Sequence, residues 1–479
     1  MHYVSVEEEV WKYLSFLLGI WFWCCYHKDG IHRGNMKCVR YINCCKHIRC
    51  SHCCKNRRWC CPCTYLYALF NVPYFKLIFL LTLVAMVSIT HVCKNIPFSP
   101  LYRKYNQEND VLHVVQELNE GRLNRSMQYF QKLDNKTSQD FYRQRSSTVS
   151  DIVVCIVTIS RTRNTAKTGY LIQTAAAIDQ ILKQDQFFPK TSLFVCNVDK
   201  QPNLHSDAVM LQNYMPYVQK NGSNFWNKNF PVVNVSLHHK IVSRGQEIAD
   251  YTFCLNATYS FGSPYVLVLE DDVVPYKNIF EVLHYMLKQH NLRKPYQNID
   301  GMTSRRQFSF LKLYYPERWQ GYANEADRVI ELISVGALGG GVIFSLFSLL
   351  IHIRRSNVSY KATFFYYCIF IAITIFVAAM YGRQNVIDLR RISPVLFKFG
   401  STPACCTPAM FYSSHIIPNL VTYLLQHSDI NKDLAMYDFI VKSSIPGYLI
   451  EPNLFRHIGM YTSLQDSYKT PYDFVFMDT

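Results

Sequence analysis

Hydrophobic and polar positions form blocks along the chain, and the clearest block is residues 265–276. It reads Tyr-Val-Leu-Val-Leu-Glu-Asp-Asp-Val-Val-Pro-Tyr, an apolar run that is followed by three carboxylates. An apolar run of this length, rich in β-branched residues, is typical of a strand buried on both faces, as in a parallel sheet covered by helices. The pattern therefore predicts a central strand with Glu270, Asp271 and Asp272 at its carboxyl end.

Similar blocks occur on both sides of this strand. We predict further strands over residues 151–159, 192–199, 232–236, 308–317 and 394–399, and helices over residues 111–133, 170–182, 246–261, 278–290, 415–426 and 433–442. Strands that alternate with helices form a mostly parallel sheet with helices on both faces. The predicted fold class is α/β.

Longer uncharged runs predict membrane segments. Residues 74–93 are long enough for a transmembrane anchor, whereas residues 11–25 are short for a span and could lie at the interface. Residues 329–353 and 362–381 could each cross a bilayer, and the short turn between them makes them a hairpin. A buried hairpin of a soluble protein is the weaker interpretation. Close helix contact is expected at its glycines, Gly336, Gly339, Gly340 and Gly341.

Basic residues set the expected topology. Arg57 and Arg58 precede the anchor, and Arg354, Arg355 and Lys361 lie at the hairpin tip, so the N-terminus and the tip are predicted to be cytoplasmic. Because the hairpin returns the chain to the side that it left, the polar parts before and after it share the lumen. Glycosylation sequons begin on that side at Asn124, Asn135, Asn221, Asn234 and Asn256, and we expect no glycan at the hairpin-tip sequon of Asn357.

This topology divides the chain into six parts. They are a basic, Cys-rich cytoplasmic leader (1–73), the anchor (74–93), a luminal stem (94–150), the first part of the α/β domain (151–328), the hairpin (329–381) and the second part of the domain (382–479).

Charge and cysteine content are concentrated near the N-terminus. The formal net charge is +16, and eleven of the eighteen cysteines precede residue 64. Basic residues beside a membrane span more often determine topology than bind nucleic acid, so we expect no nucleic-acid partner. The leader cysteines are compatible with palmitoylation, with no specific role, with zinc binding at an unusual spacing, or with poorly assigned coding sequence.

Five cysteines remain in the predicted luminal parts. They are Cys155, Cys196, Cys254, Cys405 and Cys406. A luminal compartment permits disulfides, but Cys155 and Cys196 lie in predicted core strands and could simply be buried. The sequence leaves their pairing open.

The three consecutive carboxylates suggest a site. The carboxyl edge of an open α/β sheet is where ligands bind, and clustered oxygen ligands suit Mg²⁺ or Mn²⁺ held against a diphosphate. A solvated acidic turn before the next helix explains the same residues without a ligand.

Two further motifs carry a resemblance. The stretch before the hairpin reads Leu-Tyr-Tyr-Pro-Glu-Arg-Trp-Gln-Gly-Tyr over residues 313–322, and the C-terminal part reads Phe-Arg-His-Ile-Gly-Met-Tyr-Thr-Ser over residues 455–463. With the acidic triplet and the hairpin, these motifs make the chain from about residue 60 resemble the post-GPI attachment to proteins factor 4 family of Golgi N-acetylgalactosamine transferases. The leader is not explained by the resemblance.

The resemblance implies a fold, a reaction and a location. The fold would be a GT-A-like glycosyltransferase domain split by a transmembrane hairpin, in the Golgi membrane with its catalytic domain in the lumen. The donor would be UDP-GalNAc with Mn²⁺ or Mg²⁺, and the acceptor would be the mannose core of GPI anchors on GPI-anchored proteins.

Site residues follow from the same resemblance. Asp272 would contact the metal directly, and Glu270 and Asp271 would bind ribose, water or metal. His457 would add a metal or pyrophosphate contact, although a surface histidine is an alternative. Arg161 and Asp199 would reach the nucleotide from the ends of the first two strands, and solvated loop charges explain them almost as well.

An inverting transferase also needs a catalytic base. Asp433 and Asp438 follow the expected acceptor-side loop, and Asp438 is preferred because surrounding apolar residues could raise its pKa. Helix capping by Asp433 and a plain surface role for Asp438 are the alternatives.

Other functions stay open at this point. A branching N-acetylglucosaminyl-type transferase acting on N-glycans fits the C-terminal motif but not the hairpin. A channel, transporter or scaffold predicts ionisable residues inside the spans, where only Glu331 and His352 occur, both near ends. A catalytically inactive glycan-binding relative is a further alternative, and nucleotide-sugar turnover distinguishes it from the enzyme.

Overall fold

The computed structural model describes residues 75–102, 108–146, 149–161, 168–220, 243–289, 308–323, 325–353, 360–462 and 469–474. The leader, the predicted strand over 232–236 and most of the hairpin tip lie outside the described residues. The chain divides into two compact units, one within Met1–Lys104 and Tyr322–Arg383 and the other within Tyr105–Gly321 and Gln384–Thr479.

The described helices and strands are numbered in chain order. The helices are α1 (Phe75–Cys93), α2 (Glu108–Lys132), α3 (Asn135–Ser146), α4 (Tyr170–Gln184), α5 (Ser206–Leu211), α6 (Ser243–Tyr259), α7 (Ile279–Gln289), α8 (Ala326–Ile353), α9 (Tyr360–Tyr381), α10 (Arg383–Asp388), α11 (Ile417–Gln426) and α12 (Lys432–Ser443). The strands are β1 (Ile152–Thr158), β2 (Thr191–Asn197), β3 (Tyr217–Gln219), β4 (Tyr265–Glu270), β5 (Val273–Pro275), β6 (Phe310–Lys312), β7 (Lys398–Ser401), β8 (Ala409–Ser413), β9 (Tyr448–Glu451) and β10 (Phe455–His457).

The larger unit is built on an eight-stranded sheet in the order β3-β2-β1-β4-β8-β6-β9-β7. Neighbours are parallel at β2–β3, β1–β2, β1–β4 and β6–β9, and antiparallel at β4–β8, β6–β8 and β7–β9. The prediction of an α/β fold with a mostly parallel sheet is confirmed.

Both faces of this sheet are covered. Along β4, Leu267 and Leu269 belong to the apolar cluster that includes residues of α4 and α7, whereas Val266 and Val268 belong to the cluster formed with α6, α11 and α12. Alternate side chains of a strand point to opposite faces, so the apolar run is explained by burial on both sides. Each such side chain contributes about 1.5–3 kcal/mol of transfer free energy on burial.

Segments on either side of the two apolar helices share this sheet. β8 comes after those helices in the sequence, and it pairs with β4 from Leu269↔Ala409 to Tyr265↔Ser413 and with β6. The C-terminal residues therefore complete the sheet that carries the acidic triplet.

The smaller unit contains the predicted hairpin, and α8 and α9 cover both of its predicted spans. Ala326–Leu350 and Thr363–Tyr381 are long and apolar enough to cross a membrane. A Cβ atom added at Gly336 or Gly339 would lie 2.3 or 2.5 Å from a side-chain atom of α9, and one at Gly340 would lie 2.7 Å from α9 backbone. The prediction of close helix contact is confirmed at these glycines, but it is wrong at Gly341, which faces open space.

The charge at the start of the hairpin is paired. Arg383 donates to both carboxylate oxygens of Glu331, at 2.8 and 3.1 Å. Both side chains are buried, so Glu331 is neutralised by a bidentate partner. Helix α1 occupies the predicted anchor position, and within it Thr82–Cys93 is apolar. Its role as an anchor stays a prediction.

Several predicted elements were wrong in extent. β6 covers only Phe310–Lys312 of the predicted strand 308–317, and the strand predicted at 394–399 is a short helical turn, Pro394–Leu396, followed by β7. The elements that had not been predicted are β3, β5, β8, β9, β10, α3, α5 and α10. The structure also joins Cys196 of β2 to Cys254 of α6 in a disulfide, which the sequence had left open.

Candidate active site

The centre of the sheet has a crevice at the carboxyl ends of β1 and β4. β1 lies between β2 and β4, so the strand order reverses at this point. Open α/β sheets bind ligands at such a switch point. Because Val157 pairs with Glu270, the residues that follow the two strands leave the sheet at the same edge.

Arg161 brings these two segments together. One of its terminal nitrogens lies 2.8 Å from Asp271 Oδ1 and 3.0 Å from Asp272 Oδ2. Both aspartate side chains are only 6% exposed, and buried carboxylates require such a counter-charge. The guanidinium carbon also lies 4.9 Å from the centroid of the Tyr170 ring, a favourable cation–π geometry.

The C-terminal motif reaches the same carboxylates through a two-stranded sheet. β10 pairs antiparallel with β5, and His457 lies opposite Val273. His457 Nε2 is 3.4 Å from Asp272 Oδ2, and the Ile458 N–H donates to the Asp272 carbonyl oxygen at 2.8 Å. A Cβ atom on Gly459 would lie 1.9 Å from Asp272 Oδ2, so only glycine fits beside this carboxylate.

The two adjacent aspartates have opposite pKa shifts. Burial raises the pKa of Asp271 above its ordinary value; Arg161 offsets part of that rise and the charge of Asp272 adds to it. Burial acts in the same direction on Asp272, but the charges of His457 and Arg161 outweigh it and hold the pKa of Asp272 well below its usual range. The site therefore keeps Asp272 ionised, as a metal ligand must be.

A hydrogen-bonded chain extends from Asp271 to a histidine. Thr158 Oγ1 donates to Asp271 Oδ2 at 2.6 Å, and His205 Nε2 lies 2.8 Å from the same hydroxyl oxygen. Because a hydroxyl has one proton, His205 Nε2 must be the donor in its contact. Burial lowers the pKa of His205, which favours the neutral ring with Nδ1 as an acceptor.

A pocket adjoins this chain. It has a volume of about 150 Å³, and its lining includes Arg161, Tyr170, His205, Asp207 and Asp271. Aromatic, cationic and hydrogen-bonding groups thus converge next to the acidic edge, as in sites that orient a polar small molecule.

The same residues fit a divalent cation. Asp272 Oδ1 is buried and has no hydrogen-bond partner among the described residues, so a carboxylate oxygen is left for a ligand. Carboxylate and imidazole groups both coordinate Mn²⁺, and Mg²⁺ commonly binds one or two carboxylates with water and phosphate oxygens. Asp272 and His457, whose side chains are 3.4 Å apart, are the residues that would hold such an ion.

Three buried sulfurs elsewhere do not form a metal site. In the described part of the chain, Cys155, Cys196 and Cys254 are the one group of three metal-ligand side chains whose ligand atoms all lie within 4.8 Å of one another. The disulfide between Cys196 and Cys254 removes two of these three thiols.

Glu270 has different partners from the other two carboxylates. Its Oε1 accepts from Lys432 Nζ at 3.1 Å, and this buried ammonium also lies 3.0 Å from Glu247. The Glu270 side chain is 34% exposed. Among the described residues, no hydrogen bond or ion pair joins Glu270 to His457 or Arg161. Binding of metal or ribose by Glu270 stays a prediction.

Asp199 supports the loop after β1. Its carboxylate accepts from the backbone N–H of Ser160 at 2.9 Å and of Gln201 at 2.8 Å. Asp199 therefore holds the backbone of Ser160, the residue that precedes Arg161. Direct nucleotide contact by Asp199 stays a prediction.

The two candidate bases occupy other surroundings. Asp433 accepts from Cys406 N–H and Thr407 Oγ1, both at 2.7 Å, and so holds the loop before β8. Asp438 accepts from Tyr423 and Lys442 with its side chain 38% exposed. The expected rise in its pKa is wrong, because hydrogen bonds from Lys442 and then Tyr423 lower the pKa of Asp438. These contacts give neither residue support as the base.

Four residues of the site were missed as functional residues by sequence reasoning. Two of them contact a carboxylate directly, Thr158 at Asp271 and Lys432 at Glu270. His205 reaches Asp271 through Thr158. Gly459 leaves room for the Asp272 carboxylate. Gly459 could have been found, since it lies within the quoted C-terminal motif. The other three depend on contacts between distant segments.

Comparison with known proteins gives one family. The sequence model described as GPI-N-acetylgalactosamine transferase PGAP4 matches residues 152–456. The matched region contains β1 to β10 almost entirely, with the acidic triplet, both apolar helices and Arg456 at its end.

Proposed function

The chain belongs to the GPI-N-acetylgalactosamine transferase PGAP4 family, and from that membership we propose that it transfers N-acetylgalactosamine from UDP-GalNAc to the mannose core of GPI anchors. The proposed location is the Golgi membrane, with the α/β unit in the lumen and the N-terminus in the cytoplasm. GPI-anchored proteins are then the acceptors.

One observation carries this proposal. Arg161, Asp271, Asp272 and His457 converge at the switch point of the sheet, although they come from three distant stretches of sequence. A transferase that uses a sugar nucleotide must stabilise a diphosphate leaving group. A carboxylate with one oxygen unpartnered among the described residues can hold a cation for that diphosphate, and a guanidinium and an imidazole lie beside it.

The proposed metal is Mn²⁺ or Mg²⁺. Held by Asp272 and His457, it would neutralise negative charge that develops on the leaving diphosphate. The neighbouring Arg161 supplies a positive charge beside the same carboxylates. Its two carboxylate contacts keep the guanidinium against Asp271 and Asp272 in the protein alone.

The adjoining pocket is proposed to hold the nucleoside. His205 is held by Thr158, so its ring orientation is fixed before ligand binds. The Tyr170 ring, whose centroid lies 4.9 Å from the guanidinium carbon of Arg161, forms part of the same lining. Pre-positioned polar and aromatic groups reduce the entropy that binding would otherwise cost.

The membrane helices support the acceptor class. A GPI anchor is a membrane lipid with a glycan, and an enzyme with two helices long enough to span a bilayer is retained on the surface where this acceptor occurs.

The test is a transfer assay with purified full-length protein, Mn²⁺ and a panel of UDP-sugars. The acceptors are a GPI-like mannose glycan and an N-glycan. We expect transfer from UDP-GalNAc to the GPI-like acceptor, and loss of transfer in Asp272→Asn. The matched control is Asp140→Asn, since Asp140 is an exposed aspartate that forms an ion pair with Arg143 on the same helix, α3.

Three results would contradict the proposal. N-acetylglucosamine transfer to the N-glycan would favour a branching transferase instead. Absence of transfer from every donor would favour a glycan-binding role. Full activity in Asp272→Asn would remove the acidic triplet from the reaction.

A further inference from the structure

A group of exposed aliphatic side chains follows the second apolar helix. Two short 3₁₀ turns, Leu389–Ile392 and Pro394–Leu396, come directly after α10 and before β7. Four of their side chains are largely exposed and form what is called here the aliphatic patch: Leu389 at 58%, Ile392 at 82%, Val395 at 57% and Leu396 at 49%. Apolar residues grouped at the surface of a folded protein mark a site that binds a partner or a membrane.

Inward contacts fix the segment that carries the aliphatic patch. Arg391 Nε donates to Asp388 Oδ1 at 2.9 Å, and a terminal nitrogen of Arg391 donates to the Asn453 carbonyl oxygen at 2.8 Å. The Arg391 guanidinium carbon also lies 3.7 Å from the centroid of the Tyr276 ring. Phe397, directly after the patch, is buried in the apolar cluster that includes residues of α4 and α7. The four exposed side chains therefore belong to a segment that is anchored at its middle and at its end.

The length of the connecting chain limits how far the aliphatic patch can be from the second apolar helix. The candidate span Thr363–Tyr381 ends eight residues before Leu389. Eight extended residues would cover at most about 29 Å. Six of the eight form α10, and a helix rises only about 1.5 Å per residue. The patch is thus within about 20 Å of the end of this span.

The segment before the hairpin exposes an aromatic side chain. Trp319 is 40% exposed and ends the 3₁₀ turn Glu317–Trp319, seven residues before α8. The side-chain amide of Gln384 in α10 donates to the carbonyl oxygen of Glu317, so the segments before and after the hairpin are joined here. Tryptophan is enriched where a membrane meets water. Both segments that flank the hairpin therefore expose side chains suited to a membrane surface.

We propose that the aliphatic patch inserts into the surface of the bilayer that the hairpin spans, on the side of the α/β unit. Its ligand is the lipid itself, at the boundary between the headgroups and the acyl chains. Interfacial segments bury their apolar side chains by about 5–10 Å at this boundary. A protein partner fits the patch less well, because protein interfaces are enriched in aromatic residues and Arg, whereas all four side chains of the patch are aliphatic.

This contact would give the α/β unit a second attachment to the membrane beside the hairpin. Arg391 connects the patch to the Asn453 carbonyl oxygen, and β10, which carries His457, begins two residues after Asn453. Insertion of the patch would thus fix the height of the candidate active site above the lipid. The lipid contact depends on the two apolar helices crossing a bilayer and not on the proposed transferase reaction.

The experiment uses full-length protein in phosphatidylcholine nanodiscs, with one photoreactive side chain at a time. The variants are Ile392→p-benzoylphenylalanine, Leu346→p-benzoylphenylalanine and Val441→p-benzoylphenylalanine, and the adducts formed under ultraviolet light are identified by mass spectrometry. Leu346 is the membrane control, because it is 60% exposed within the candidate span Ala326–Leu350. Val441 is the aqueous control, because it is an aliphatic residue of α12 that is 61% exposed.

We expect lipid adducts at Ile392 in a yield comparable to that at Leu346, and none above the unirradiated background at Val441. The proposal is overturned if Leu346 gives lipid adducts and Ile392 does not, or if the adducts at Ile392 are to a second protein chain. Equal lipid yields at Ile392 and Val441 would overturn it as well, because the contact would then not be specific to the patch. Absence of lipid adducts at Leu346 would overturn its premise that the helices cross the bilayer.

A charged variant tests whether the contact depends on apolar side chains. The photoreactive group is placed at Leu389, and the patch is changed by Ile392→Asp together with Val395→Asp. Both replaced side chains are exposed, so we expect the thermal unfolding transition to stay as in the wild type. The lipid adduct at Leu389 should be lost, while the adduct at Leu346 in the same charged background is kept. An unchanged adduct at Leu389 would contradict insertion of the patch.

Discussion

Gly459→Ala is the sharpest perturbation that the site offers. Gly459 has no left-handed φ angle, so its backbone accepts alanine, and the only obstacle is space. The added Cβ atom would lie 1.9 Å from Asp272 Oδ2, 2.5 Å from Cγ and 2.8 Å from Cβ. All three contacts are shorter than the 3.0 Å that real Cβ atoms keep.

The displacement can be worked out from these distances. Restoring a separation of 3.0 Å from 1.9 Å requires the two groups to move apart by at least about 1.1 Å. The Ile458 N–H bond to the Asp272 carbonyl oxygen ties the two backbones together, so the carboxylate itself must move. A misplacement of about 1 Å in a catalytic arrangement can lower the rate about 100-fold, and overpacking of this kind costs about 1–3 kcal/mol of folding free energy.

The assay compares initial rates of N-acetylgalactosamine transfer with thermal unfolding of the same preparations. Gly321→Ala is the matched control, because a Cβ atom there meets nothing within 4 Å and its φ angle is also not left-handed. We expect Gly459→Ala to lose about two orders of magnitude in rate while it stays folded at the assay temperature. Wild-type activity in Gly459→Ala would refute the placement of Asp272 in the reaction.

Two further predictions concern stability. Arg161→Met leaves two buried carboxylates without the guanidinium, so we expect the metal-free protein to lose about 3–5 kcal/mol of unfolding free energy. We also expect Mn²⁺ to raise the melting temperature more in the variant than in the wild type. Equal melting temperatures for the metal-free forms would contradict this. Burial raises the pKa of Glu317 above 4.5, so the favourable contribution of its protonated form is complete below pH 4.5 and is lost as the pH rises through the raised pKa. Glu317→Gln should therefore flatten the pH dependence of the unfolding free energy just above pH 4.5, as measured by denaturant titration. An unchanged slope would contradict the raised pKa of Glu317.

The sequence was informative where a local pattern determines the structure. The apolar run at residues 265–269, rich in β-branched residues, predicted a strand buried on both faces, and it became β4 with the acidic triplet at its end. The glycines of the hairpin likewise predicted close helix contact, and three of the four lie at such a contact. Gly341 does not, because sequence spacing alone does not determine which side of a helix meets its partner.

The rest depends on contacts between distant segments. β8 has only five residues, Ala409–Ser413, and it is a strand because it pairs with β4 and β6 on either side. Three consecutive carboxylates cannot reveal that two of them turn to Arg161 and the first to Lys432. The apolar neighbours of Asp438 suggested burial, but on α12 its side chain points to Tyr423 and Lys442 at the surface.

The central claim is that residues before and after the hairpin form one diphosphate site. Calorimetric titration of UDP into full-length protein tests it most directly, with Mn²⁺ or with a chelator and with Asp272→Asn and His457→Ala as variants. We predict that UDP binds only with Mn²⁺ and that each variant loses this binding. Equal binding with the chelator, or wild-type affinity in His457→Ala, would contradict the claim.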